Sequence, residues 1–157
     1  MTKQHLKEFI KAVALPAVFE LLSQQKHFHP MCYIFLGDRK AGVDVVPIYN
    51  DSDKQLFISR TREKAQKINA DAILYVLEGF AVSIDNPVAV MELPPDNVAY
   101  LPKDATGKPC VMIFGVCRGM KRGLSWTVPS PAGGHAPADI GEGIETDSFW
   151  VRDAFKN

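Results

Sequence analysis

The segment from Ala72 to Ile84, AILYVLEGFAVSI, constrains the fold more than any other part of the chain. Side chains of an extended strand alternate between the two faces of a sheet. Here Ile73, Tyr75, Leu77 and Ala81 fall on one face, and Leu74, Val76, Phe80 and Val82 on the other. A strand that is apolar on both faces belongs in the middle of a sheet, covered on both sides. Leaving either row bare would create a larger apolar patch than soluble monomers keep. The cover has to come from the N-terminal helix, from the C-terminal segment or from a second subunit. The composition provides for a core of this kind: 157 residues, 46% hydrophobic and 23% charged, suit one globular domain.

The neighbouring segments supply the partners of that strand. Leu6, Phe9, Ile10, Val13, Ala17 and Leu21 recur at helical spacing. Pro16 predicts a kink or break near Leu15, with a second helical piece ending around Gln25. Met31 to Leu36 and Val43 to Tyr49 read as a β-hairpin around GDRKAG, with Pro47 marking an edge strand or a strand end. A helix starts at Ser52, whose hydroxyl and the Gln55 side chain suit a capping box. Its apolar stripe is narrow: Leu56, Phe57, Thr61, Lys64, Ala65 and Ile68. After the long strand, the prolines between 87 and 109 predict loop, with a short strand at Val88 to Leu93. Cys110 to Cys117 and Leu124 to Val128 form a second hairpin around RGMKRG.

From Pro129 the chain is rich in Gly, Pro and Ala, and it ends in Phe149, Trp150, Val151 and Phe155, which need a surface to dock on. The expected architecture is a single α+β domain over residues 1–128, followed by a tail over 129–157. Helices pack on a mainly antiparallel sheet in two layers, in the order α-β-β-α-β-β-β. This element order is similar to that of roadblock-like and profilin-like domains, which often form dimers or scaffolds. The likeness is one of element order alone.

Charge and cysteine content narrow the function. Eighteen basic residues balance eighteen acidic ones, so no global field draws in nucleic acid or an anionic membrane. There is no transmembrane run, and charges interrupt the apolar N-terminus, which argues against a signal peptide and for a cytoplasmic protein. Three cysteines, Cys32, Cys110 and Cys117, each lie inside an apolar run and read as small core residues, not as a disulfide framework.

Four features carry possible chemistry. His27-Phe28-His29 places two imidazoles on one side of an extended segment, where they could share a divalent metal with Asp38. The H-x-H pair is similar to that of JAMM-type metalloproteases, which continue with a Ser and an Asp at set distances and need an upstream Glu. Here Asp38 is the nearest downstream carboxylate, and no Ser stands at the matching place. Glu78 shares a face with Leu74 and Val76. Either it turns out to water, through a bulge at Gly79 or an exit at the sheet edge, or it is a buried carboxylate held by Arg60, Arg62 or a histidine, with a raised pKa and a catalytic role. Arg118, Lys121 and Arg122 put three cations in one Gly-flanked loop, where a phosphate or a nucleic acid could bind. The acidic residues around the first hairpin, Asp38, Asp44, Asp51 and Asp53, lack calcium-loop spacing. No P-loop, dinucleotide fingerprint or nucleophile elbow is present.

The reading these features favour is a non-catalytic binding or assembly module with no cofactor. It forms a homodimer or larger assembly through a sheet face or the C-terminal tail, and it can take a protein partner. A metal-dependent hydrolase using His27 and His29, with Asp38 or Glu78, is the first alternative. Phosphate or nucleic-acid binding at Arg118, Lys121 and Arg122 ranks below both, because the net charge is zero.

Overall fold

The computed structural model describes residues 1–24, 29–81, 108–129, 136–137 and 139–155. Six antiparallel strands form one sheet: β1 (Met31–Leu36), β2 (Arg39–Val45), β3 (Ala72–Ala81), β4 (Lys108–Cys117), β5 (Gly123–Pro129) and β6 (Ile144–Thr146). Their order across the sheet is β2-β1-β3-β4-β5-β6, so β3 is central and β2 is an edge. The α+β class and the antiparallel sheet are as the sequence predicts. The short strand expected at Val88 to Leu93 lies outside the described residues. Among the described residues, no helix is long and apolar enough to cross a membrane.

The helices lie on opposite faces of the sheet, where the sequence reading had placed them in one layer. An N-terminal helix runs through α1 (Lys3–Phe9), a π-helical segment (Ile10–Ala14) and α2 (Leu15–Ser23). It covers the face formed by Met31, Tyr33, Phe35, Leu74, Val76, Val111, Ile113 and Trp126. The second helix, α3 (Asp51–Lys67), covers the other face with Phe57, Ile58 and Ala65, against Cys32, Ile34, Ile73, Tyr75 and Leu77. The C-terminal segment completes that second core with Trp150, Val151 and Ala154. From Ala72 to Leu77, both rows of β3 are therefore covered within one chain.

No break occurs at Pro16. Leu15 N–H donates to Ile10 O, a bond one residue longer than the α-helical one, and the helix continues. This π turn lies just ahead of the proline, which cannot continue an α-helical ladder. The extra residue rotates the buried stripe. Leu6 and Ile10 are buried before it and Ala14, Leu15, Val18 and Phe19 after it, while Val13 and Ala17, expected inside, face solvent.

Local details also differ from the sequence reading. α3 is capped by Asn50, whose side chain accepts from Asp53 N–H at 2.9 Å, while Asp53 Oδ2 accepts from Tyr49 N–H at 3.1 Å. Ser52 is already inside the helix. Asn is as good a cap as Ser, and it stands one turn ahead of an acidic residue able to return the bond. The first hairpin turns on Gly37 and Asp38, with Gly37 at φ +56°. β2 therefore starts at Arg39, and the remaining slack is taken up by a bulge between Lys40 and Gly42. The tail belongs to the domain: β6 pairs with β5, with Gly123 opposite Thr146.

Two glycines fix how the tail packs. A Cβ on Gly123 would overlap the Val151 side chain. A Cβ on Gly143 would lie 2.5 Å from the Trp126 ring, and Gly143 has φ +81°. Gly143→Ala should cost at least about 1–2 kcal/mol for the left-handed backbone alone, and Trp150→Ala about 3–5 kcal/mol for the emptied core. Urea unfolding followed by circular dichroism measures both. Wild-type stability in either variant would show that the tail is not part of the cooperative core.

Candidate binding groove

Among the described residues, no strand pairs with the outer side of β2, which lies beside α3. β2 pairs with β1 through Cys32 opposite Asp44, Tyr33 opposite Val43 and Met31 opposite Val45. Alternation thus turns Gly42 and Asp44 toward the α3 face and Val43 and Val45 toward the N-terminal helix face. Beyond the strand, Val46 N–H still donates to Pro30 O at 3.2 Å. Between this edge and α3 runs a groove of about 510 Å³, lined by Val43, Val45, Leu56, Phe57, Arg60 and Lys64 among others. Val45 is 53% exposed and Leu56 49%.

The groove is held open by a buried polar contact beneath it. Thr61 Oγ1 donates to Ile58 O at 3.0 Å and lies 2.6 Å from the Tyr75 hydroxyl, which is left to donate to it. Cys32 lies beside this pair. Burial pushes its thiol far above the ordinary value, the charge of Asp44 adds to the effect, and contacts with Thr61 and Tyr75 offset part of it. Burial likewise raises the Tyr75 hydroxyl. Both groups stay protonated, so neither is poised as a nucleophile. At the rim, Lys64 Nζ bridges to Asp44 Oδ1 at 2.6 Å, tying the helix to the edge strand. Leu56, Arg60 and Lys64 follow one another at four-residue spacing along the groove wall. Arg60 is exposed and, among the described residues, makes no ion pair or hydrogen bond.

The residues singled out from the sequence are not brought together. His27 lies outside the described residues; His29 is exposed. Asp38 sits on the β1–β2 turn, 2.9 Å from His5 Nδ1 and 3.7 Å from the Met1 amine. No group of three His, Cys, Asp or Glu residues able to hold a metal occurs among the described residues.

Glu78 is exposed and is not the buried carboxylate of the second expectation, but no bulge turns it out. The β3–β4 register runs unbroken from Ala72–Cys117 to Ala81–Lys108, with Glu78 opposite Val111, so there is no bulge at Gly79. Leu77 beside it is buried, and the Glu78 carboxylate itself reaches water.

Two of the three loop cations are engaged inside the fold. Arg118 donates through Nε and Nη2 to Ala70 O at 3.0 and 2.6 Å and lies over the Phe155 ring at 5.1 Å. Arg122 pairs with Asp147 at 3.3 Å and with Glu145 at 3.8 Å. Lys121 is exposed. Arg62, suggested as a partner for Glu78, instead donates to Phe149 O and Arg152 O at 2.7 and 2.6 Å and holds the C-terminal segment.

Sequence reasoning did not single out the groove. Its traces were Pro47, which marked the edge, and Leu56, which sat at the margin of the α3 stripe. Compared with protein-family models, with curated proteins and with solved structures, the chain matches none.

The three cysteines are buried and form no disulfide. A thiol reagent at pH 8 should leave the native protein unlabelled and label all three thiols after unfolding. Burial raises the pKa of Cys32 and Cys117 above the ordinary 9.0, so the folded state binds these protons more tightly than the unfolded chain. Stability is therefore complete below pH 9 and falls as pH rises beyond it. Urea midpoints from pH 7 to 10 test this; a midpoint that does not move between pH 9 and 10 would contradict it.

Proposed function

We propose that the chain is a non-catalytic binding module and that it engages a protein partner at the groove between β2 and α3. The observation that carries this reading is an edge strand that no other strand pairs with among the described residues, beside a helix, with Leu56 exposed on the α3 side and Val43 and Val45 exposed on the opposite face. Unpaired sheet edges are normally covered or blunted, because they template pairing with another chain. The expectation of self-assembly through a sheet face rested on an uncovered row of β3. The N-terminal helix covers one row, and α3 with the C-terminal segment covers the other. Among the described residues, the β2 edge is a surface that a partner strand could pair with. The groups that could have supported chemistry point the same way: the Cys32 thiol is held protonated, and Arg118 and Arg122 are spent on internal contacts.

A random peptide library displayed on phage and selected against the full chain tests this reading. Peptides should enrich and bind, and Leu56→Glu should weaken them at least tenfold with the thermal midpoint preserved. Ser59→Glu, an exposed change on the same helix but outside the groove, should leave binding unaltered. Failure of any peptide to enrich, or equal binding by Leu56→Glu, would reject the groove as the site.

A further inference from the structure

We propose that the occupant of the groove is an extended strand that pairs antiparallel with β2 and carries a carboxylate for Arg60. This rests on the groove being the binding site and specifies what enters it. Three observations define the occupant.

The first is the length of edge open to pairing. On one side the bulge between Lys40 and Gly42 interrupts the strand, and the strand beyond it carries Arg39 and Lys40. Bulges and charges of this kind discourage pairing. On the other side Pro47 has no N–H to offer. The stretch from Gly42 to Val46 carries neither device. Its one charge, Asp44, is neutralised by Lys64 at 2.6 Å.

The second is the apolar exposure on both faces of that stretch. Val43 and Val45 lie on one face and Leu56 on the other. An added strand would run about 4.8 Å outside β2 and send alternate side chains to the two faces. One set would cover Val43 and Val45, while the other would meet α3. A helical ligand resting on α3 would cover Leu56 and leave the valines bare.

The third is a match of spacings. Leu56, Arg60 and Lys64 succeed each other about 6 Å apart along α3. Alternate residues of a strand succeed each other about 6.7 Å apart. α3 runs opposite to β2, since its Lys64 end meets Asp44 and its Asp53 end meets Tyr49. A strand antiparallel to β2 therefore runs in the direction of α3. It would present an apolar residue to Leu56 and, two residues later, a side chain to Arg60. Lys64 already has Asp44, whereas Arg60 has no carboxylate among the described residues. The complementary pattern is apolar, any residue, acidic, with β-branched residues between them for the valine face. Antiparallel pairing is also the pattern of every other pair in this sheet.

The probe is a capped peptide, acetyl-KTVVVEVTK-amide, titrated into the full chain with amide chemical shifts and calorimetry as readouts. Binding should saturate, and the shifts should concentrate at Gly42 to Val46 and at Leu56 and Arg60. Replacing the peptide's glutamate with lysine should weaken binding at least tenfold, and Arg60→Glu should reverse the preference. If the peptide binds but neither charge change matters, the carboxylate assignment is wrong. If library peptides bind the groove while this one does not, the strand is wrong and the groove stands. If nothing binds, the groove reading itself is lost. Shifts at Gly42 to Val46 on concentrating the protein alone would make a second copy the occupant and overturn the proposal.

Discussion

Covering β3 on both faces is the requirement that organises the rest of the structure. Ala72 to Leu77 are all buried, and Ile73, Leu74, Tyr75 and Val76 have no measurable exposure. At about 1.5–3 kcal/mol for each large apolar side chain buried, neither row could be left to water in a domain whose net stability is roughly 5–15 kcal/mol. A helix on one face cannot do this alone. The chain uses the N-terminal helix for the row of Leu74 and Val76, and α3 with the C-terminal segment for the row of Ile73 and Tyr75. The C-terminal aromatics are thus the remainder of a core that α3 is too narrow to complete. Trp150 packs with Phe57, Tyr75 and Phe114, and Arg62 holds the backbone on either side of it.

The same narrowness leaves the edge open among the described residues. α3 buries Phe57, Ile58, Thr61 and Ala65, and its next row, Leu56, Arg60 and Lys64, extends over β2 without reaching past it. The Thr61–Tyr75 contact fixes the helix to the central strand, and the Lys64–Asp44 bridge fixes it to the edge. Buried hydroxyls need such partners to avoid a desolvation cost of about 1–3 kcal/mol each.

Where local chemistry decides the structure, the sequence was legible. Two-residue alternation marked β3 as central, Pro47 marked the end of an edge strand, and the apolar hairpins fell in the right order. Where a choice is made by packing, it was not. Pro16 signals a disturbed helix, but whether the chain breaks or widens into a π turn depends on whether Ala14, Leu15, Val18 and Phe19 gain by continuing over the sheet. Asn50 and Ser52 are equally good caps in isolation, and Asp53's return bond to Tyr49 N–H separates them. Glu78 looked anomalous because alternation says which way a side chain points and not whether water reaches it. The α3 stripe says that the helix packs on a sheet and not on which face.

The groove could not have been read from the sequence at all, because its character comes from ion pairs between distant segments. Asp44, Arg60 and Lys64 are two cations and one anion spread over two elements, and in sequence they are ordinary surface charges. Folding pairs Asp44 with Lys64 at 2.6 Å and leaves Arg60 between Leu56 and that bridge. A paired charge on an edge strand no longer repels an incoming backbone, and Arg60, which makes no ion pair or hydrogen bond among the described residues, stands one turn along the helix with donors that suit a carboxylate. Had Lys64 and Arg60 exchanged roles, the bare cation would lie over Gly42, next to the bulge where pairing stops. As built, Arg60 lines the same groove as Val43 to Val46, the stretch of β2 between the bulge and Pro47. The recognition chemistry and the open ladder therefore coincide.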